Sequence, residues 1–137
     1  MGTVHAEITI KNAADVINAM RGLTGEQDIR SITVNAIVDT GAASIVISEE
    51  LRQKLGLRVK EERRAGMADG SWVNCQLTEA VDVHWKNRHW SCTAMVIKGA
   101  NSVLLGAIPL EGMDLTINPK TQELTGAHGD TVELLVL

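Results

Sequence analysis

The chain has 137 residues, 45% of them hydrophobic and 22% charged, which is enough for one compact domain and too few for two ordinary ones. A formal net charge of -4 argues against a general nucleic-acid binder, which carries a basic face, and no run of about 18 apolar residues is present to span a bilayer. Phe and Tyr are absent and Trp occurs three times, so Val, Ile, Leu and Met must fill the core. The N-terminus lacks the basic-then-apolar pattern of a secretory signal, and a soluble, cytoplasmic protein is expected. Its two cysteines, Cys75 and Cys92, are then expected as thiols rather than a bridge.

Val4, Ala6, Ile8 and Ile10 alternate with polar residues, the pattern of a half-buried strand. Asn12 is placed to cap a short helix in which Val16, Ile17 and Met20 share a side, with Gly22 as its stop. Leu23 to Arg30 reads as a polar connection, and Ser31 to Asp39 as a strand. A second apolar run, Ser44 to Ile47, leads to Ser48, which can cap a helix with Glu49 and Glu50 in its first turn, Leu51 and Leu55 inward and Gly56 at its end. The mixed charge run Arg58 to Arg64 reads as a solvated strand edge rather than an anion-binding patch. Asp69-Gly70 is a hairpin signal.

Strand-like alternation continues from Trp72 to Ile97. Val81, Val83 and Trp85 share one face, Lys86-Asn87-Arg88 makes a turn, and Trp90, Cys92, Ala94 and Val96 resume the pattern. His84, His89 and Cys92 lack a zinc spacing, and alternation puts His89 and Cys92 on opposite faces, so no metal site is expected. Asn118-Pro119 turns between Leu115–Ile117 and Glu123–Thr125, and Gly126 to Gly129 is a break. Thr131 to Leu137 reads as a terminal strand that needs a partner. No repeat or linker divides the chain.

The most informative stretch is Ala36 to Gly56. An apolar strand runs into Asp39, followed by Thr40, Gly41, Ala42 and Ala43 before the second apolar run. A carboxylate between apolar segments is costly unless hydrogen bonds compensate it. Thr40 supplies a hydroxyl, Gly41 can take a positive φ and offer its N–H, and the alanines leave room. Asp39-Thr40-Gly41-Ala42 in this setting resembles the active-site loop of retropepsin-like aspartic proteases. Val103-Leu104-Leu105-Gly106 matches the family's downstream apolar-apolar-Gly element, Ala65 to Ser71 its flap, and Ile108–Met113 followed by Asp114–Asn118 its closing helix and strand. The resemblance covers about residues 32–124 and implies an all-β, single-lobed barrel with one or two short helices, a single domain over 1–137.

Peptide hydrolysis by this chemistry needs two carboxylates close enough to share a proton. The chain has one Asp-Thr-Gly, and Asp15, Asp28, Asp69, Asp82, Asp114 and Asp130 lack its context. The resemblance therefore implies a two-fold homodimer in which Asp39 meets its mate, with the C-terminal strand and the Val4–Ile10 strand as candidates for pairing across the axis. It further implies Asp39 as catalytic acid/base, Thr40 as orienting the loop across the dimer, Gly41 as holding the carboxylate, and Ala42 and Ala43 as the cleft floor. Met67, Ala68, Asp69 and Gly70 are implied as a flap over an extended peptide substrate; separately, the Ile, Val and Leu content near the cleft leads to an expectation of apolar side chains around the scissile bond. No cofactor is implied, since water is the nucleophile. The chain departs from viral members at Ala43 and Ala107, where an acid and a base are common. The competing reading is a catalytically silent module for dimerisation or peptide binding.

Overall fold

The computed structural model describes residues 3–134 and 136. Among the described residues, nine strands and three short helices follow one another: β1 (His5–Asn12), α1 (Ala13–Met20), β2 (Ser31–Val38), β3 (Ile45–Ile47), α2 (Glu49–Lys54), β4 (Val59–Gly66), β5 (Trp72–Trp85), β6 (Arg88–Ile97), β7 (Leu104–Leu105), α3 (Ala107–Gly112), β8 (Leu115–Asn118) and β9 (Glu123–Gly126). A single 3₁₀ turn, Glu26–Asp28, interrupts the connection after α1. This is the expected all-β class. No helix among the described residues is long and apolar enough to cross a membrane.

Seven strands pair in the order β1-β2-β7-β3-β6-β5-β4, and β1 pairs again with β5. That second pairing closes the sheet into a barrel. It is available because β5 is 14 residues long and serves two partners on one edge: β4 along Trp72–Thr78 and β1 along Val81–His84. An irregularity between Leu77 and Ala80 marks the change of partner. Closure uses up strand edges and leaves β4 as the outer strand. Its exposed charges, Lys60 to Arg64, are what an edge requires to resist pairing with another chain.

The β1 alternation is realised as expected, with Val4, Ala6, Ile8 and Ile10 all buried. β1 also pairs within its own chain, with β2 over His5–Lys11 and with β5 over Thr9–Asn12. Barrel closure thus occupies both edges of β1 from Thr9 to Lys11, while His5 to Ile8 pairs on the β2 side. Ile45, Ile47, Leu55, Leu57, Val81, Val83, Leu105 and Met113 complete an aliphatic core in which each is at most 1% exposed. Each such side chain contributes about 1.5–3 kcal/mol on burial, which is how a chain without Phe or Tyr fills its interior.

Asn12 caps α1, its side chain accepting from the Asp15 N–H at 3.2 Å, and its amide also donates to the Leu55 carbonyl at 2.9 Å. One fully buried residue thus joins β1, α1 and the end of α2. Ser48 caps α2 as expected, accepting from the Leu51 N–H. Gly22 and Gly56 follow the first two helices at φ 73° and 64°, the left-handed geometry that glycine adopts without penalty.

Three expectations are corrected. Ile17 and Met20 on α1 are 46% and 81% exposed, so their shared side does not face the core. The β5–β6 turn is the two residues Lys86-Asn87, with Lys86 at φ 51°, and Arg88 is the first residue of β6 and buried. Its guanidinium donates to the carbonyls of Met113 (3.0 Å), Asp114 (2.8 Å) and Gly129 (2.5 Å), tying the β8–β9 hairpin to the barrel. Residues 131–134 are not in a strand, and Val132, Leu134 and Val136 are exposed. Leu135 and Leu137, the rest of that expected strand, lie outside the described residues.

Candidate active site

β7 is only two residues long, yet it organises the site. It runs parallel to β2 (Ile37 beside Leu104, Val38 beside Leu105) and antiparallel to β3 (Ile45 beside Leu105, Val46 beside Leu104). The loop joining β2 to β3 is therefore held open across β7, with Asp39 at its start and its N–H donating to the Leu105 carbonyl at 3.0 Å. The Asp39 carboxylate accepts from the Gly41 N–H at 2.9 Å. Gly41 does this without a positive φ, contrary to expectation. What glycine supplies is proximity, since a Cβ there would sit 3.2 Å from the carboxylate oxygen.

The far side of the loop is stitched to the start of α3. The Ala107 N–H donates to the Ala42 carbonyl at 2.8 Å and the Ile108 N–H to the Ala43 carbonyl at 2.9 Å. Gly106 makes this approach feasible: a Cβ on it would lie 2.5 Å from the Ala42 oxygen and closer still to that of Ser44. Ser44 in turn donates to the Thr93 carbonyl at 2.5 Å, fixing the start of β3 on β6. Asp39 is half-buried, while Thr40 and Gly41 are exposed at the loop tip.

Asp39, Gly41, Ala42 and Ala43 form one end of a cleft of about 990 Å³, at the upper end of the range for ligand pockets. Its floor is aliphatic: Val46, Leu77, Met95, Ile97 and Leu104. The β4–β5 hairpin supplies the opposite side. Of the four expected flap residues, Met67 and Ala68 line the cleft, whereas Asp69 and Gly70 form the outer turn. There the Met67 N–H donates to the Ser71 carbonyl (2.8 Å), and Gly70 has φ 87°. The Ser71 hydroxyl and N–H both donate to Asp69, at 2.6 and 2.9 Å, and hold its carboxyl below the ordinary range.

Among the described residues that line the cleft, Asp39 and Glu61 are the only acids. Glu61 belongs to β4, away from the Asp39 loop, and its side chain contacts Arg63 at 3.0 Å. Both cysteines also line the cleft. Cys92 faces Val81 across the ladder, and Cys75 lies six residues earlier along β5, a separation of about 20 Å that no disulfide spans. Burial pushes the Cys92 thiol above its usual value.

The charge run of β4 is exposed, as expected, and Lys60, Glu61, Arg63 and Arg64 also line the cleft. Sequence reasoning missed this second role. The signal was available in the alternation across the hairpin, since Arg63 and Glu61 stand opposite Cys75 and Leu77. A cluster beyond the cleft was missed as well: buried Asp114, at φ 55°, accepts from His128 Nδ1 (2.8 Å) and from the Glu133 N–H (3.1 Å). His128 holds the Asp114 carboxyl low, and Asp114 raises His128.

Among curated proteins, none matches the chain. A model of the family described as "gag-polyprotein putative aspartyl protease" matches residues 26–112. That span is more than half of the chain and includes the Asp39 loop, the β4–β5 hairpin, β7 and α3.

Proposed function

Because the chain belongs to this retroviral-type aspartyl protease family, we propose that it is an aspartic endopeptidase acting as a homodimer, with Asp39 of each subunit supplying one half of the catalytic pair. The observation that carries this reading is the Asp39 carboxylate held by the Gly41 N–H at the end of an aliphatic cleft, beside an exposed Thr40-Gly41 tip. An exposed tip is what a two-fold contact through this loop needs.

Two carboxylates brought together by the axis share one proton, because both cannot ionise cheaply at that distance. The ionised one takes a proton from water as the water oxygen bonds to the scissile carbonyl carbon, while the protonated one donates to the carbonyl oxygen. Collapse of the resulting diol breaks the C–N bond, and the leaving amine takes a proton from the pair. The substrate is an extended peptide, laid between Met67 and Ala68 on the flap side and the aliphatic floor, with apolar side chains at the scissile bond. Exposed Val132, Leu134 and Val136 support the C-terminal segment as a further dimer contact. Two free cysteines too far apart to pair suit a reducing compartment such as the cytoplasm.

The test is digestion of a diverse peptide mixture by wild type and Asp39→Asn between about pH 3 and 7, the span in which shared-proton pairs titrate. Cleavage by wild type alone, with cuts at apolar residues, is the expected result. A folded wild type that is strictly monomeric at high concentration and cuts nothing refutes it.

A further inference from the structure

The cleft is polarised by charge. Its Asp39 end is acidic and its floor uncharged, but the β4 side contributes Lys60, Arg63 and Arg64 against the single acid Glu61. This local excess is opposite in sign to the whole chain, whose net charge is -4. The β4–β5 register divides these residues. Arg64 stands opposite Asn74 and stacks on Trp72, 4.7 Å from the ring centre, so its guanidinium is already engaged. Arg63 stands opposite Cys75, which is itself a cleft residue. Lys60 sits at the β4 irregularity, where it has no counterpart on β5 and forms no ion pair among the described residues.

Arg63 is tied to Glu61 by one contact, its Nη2 to Oε1 at 3.0 Å, and the two side chains are 65% and 49% exposed. An exposed pair of this kind is weak. One contact also leaves most of the planar guanidinium fork free, and that fork matches a carboxylate in bidentate fashion. Glu61 therefore restrains Arg63 beside the cleft without occupying it. We propose that Arg63, aided by Lys60, selects extended peptides carrying an acidic side chain to one flank of their apolar centre, with Glu61 as the residue that tempers this preference. The inference rests on the cleft being the peptide site proposed above.

The test uses the full chain carrying Asp39→Asn, so that bound peptides stay intact. The probes are fluorescein-labelled peptides with one aliphatic centre flanked by Glu, Ser or Lys. At about 0.01 M ionic strength, where the screening length is about 30 Å, Glu-flanked peptides should bind roughly three- to fivefold more tightly than Ser-flanked ones, and the preference should vanish near 1 M salt. Added Arg63→Gln should abolish the preference and added Glu61→Gln should enlarge it. Were the pair merely structural, both variants would shift binding in the same direction for all three peptides. Equal binding of the three sets, no binding of any, or a preference that survives Arg63→Gln overturns the proposal. The same sets are offered to wild type for hydrolysis. Discrimination in binding without cleavage would sink the peptidase reading alone, and cleavage without discrimination would sink the selection alone.

Discussion

Replacement of Gly106 by alanine isolates the packing that holds the Asp39 loop. Gly106 has φ -94° and ψ -171°, an extended conformation open to any residue, so backbone strain does not enter. The effect is steric. The new Cβ would be 2.5 Å from the Ala42 carbonyl oxygen and nearer still to that of Ser44, and neither atom is a side chain that can swing aside. Relief requires the loop and the start of α3 to separate, at the expense of the bonds from Ala107 and Ile108 to Ala42 and Ala43. Overpacking of this kind costs about 1–3 kcal/mol. With about 2.1 cal/mol/K of unfolding entropy per residue, a chain of 137 residues loses about 3–4 °C of Tm per kcal/mol, so Tm should fall by about 3–10 °C. Displacement of a catalytic group by about 1 Å lowers turnover by roughly 10²-fold. Thermal unfolding and peptide cleavage below the new Tm would be measured on the same preparation. A variant with unchanged Tm and unchanged cleavage would refute the argument that close approach at Gly106 sets the position of the loop.

Arg88→Met leaves the carbonyls of Met113, Asp114 and Gly129 without their charged donor and should cost about 3 kcal/mol or more, read as a drop in urea midpoint. Arg88→Lys should recover only part, because one ammonium cannot reproduce the fork. Asn12→Ala removes both the α1 cap and the bond to Leu55 for about 2–3 kcal/mol. Asn12→Asp keeps the cap but turns an acceptor toward the Leu55 carbonyl, so it should be at least as destabilised at pH 7 and partly restored in acid. The Asp114–His128 contact makes stability depend on pH from both sides. Asp114 is lowered in the fold, so its contribution is present above its unfolded value of about 3.9 and is lost as pH falls through the folded one. His128 is raised, so its contribution is full below about 6.5 and is lost as pH rises through its folded value. The stability difference between wild type and His128→Ala should therefore be largest near pH 5 and shrink by pH 9. A difference independent of pH would show that the imidazole acts by packing alone.

Local pattern carried most of the elements. The β1 alternation, the Asn12 and Ser48 caps and the Asp69-Gly70 turn depend on residues within a few positions of one another, so each is visible in the sequence and each is present. The Asp39 loop was legible for the same reason, since the acid, the glycine whose N–H it accepts and the flanking apolar runs are contiguous. The terminal strand was read from its apolar content alone, and residues 131–134 lack the pairing that defines a strand.

What the sequence by itself determined is the one-dimensional part: most of the segments that extend or coil, the caps that start the first two helices, and that a single Asp-Thr-Gly stands between two apolar runs. Tertiary structure decided whatever depends on residues that meet across the chain. It set β5 to serve both β4 and β1, turned Arg88 from an apparent turn residue into a buried anchor for β8–β9, and brought Arg63 to the cleft. A charged side chain follows no local rule for whether it meets water, a carboxylate or three carbonyls. Packing of segments distant in sequence selects its partner, because only then are the acceptors within hydrogen-bonding reach.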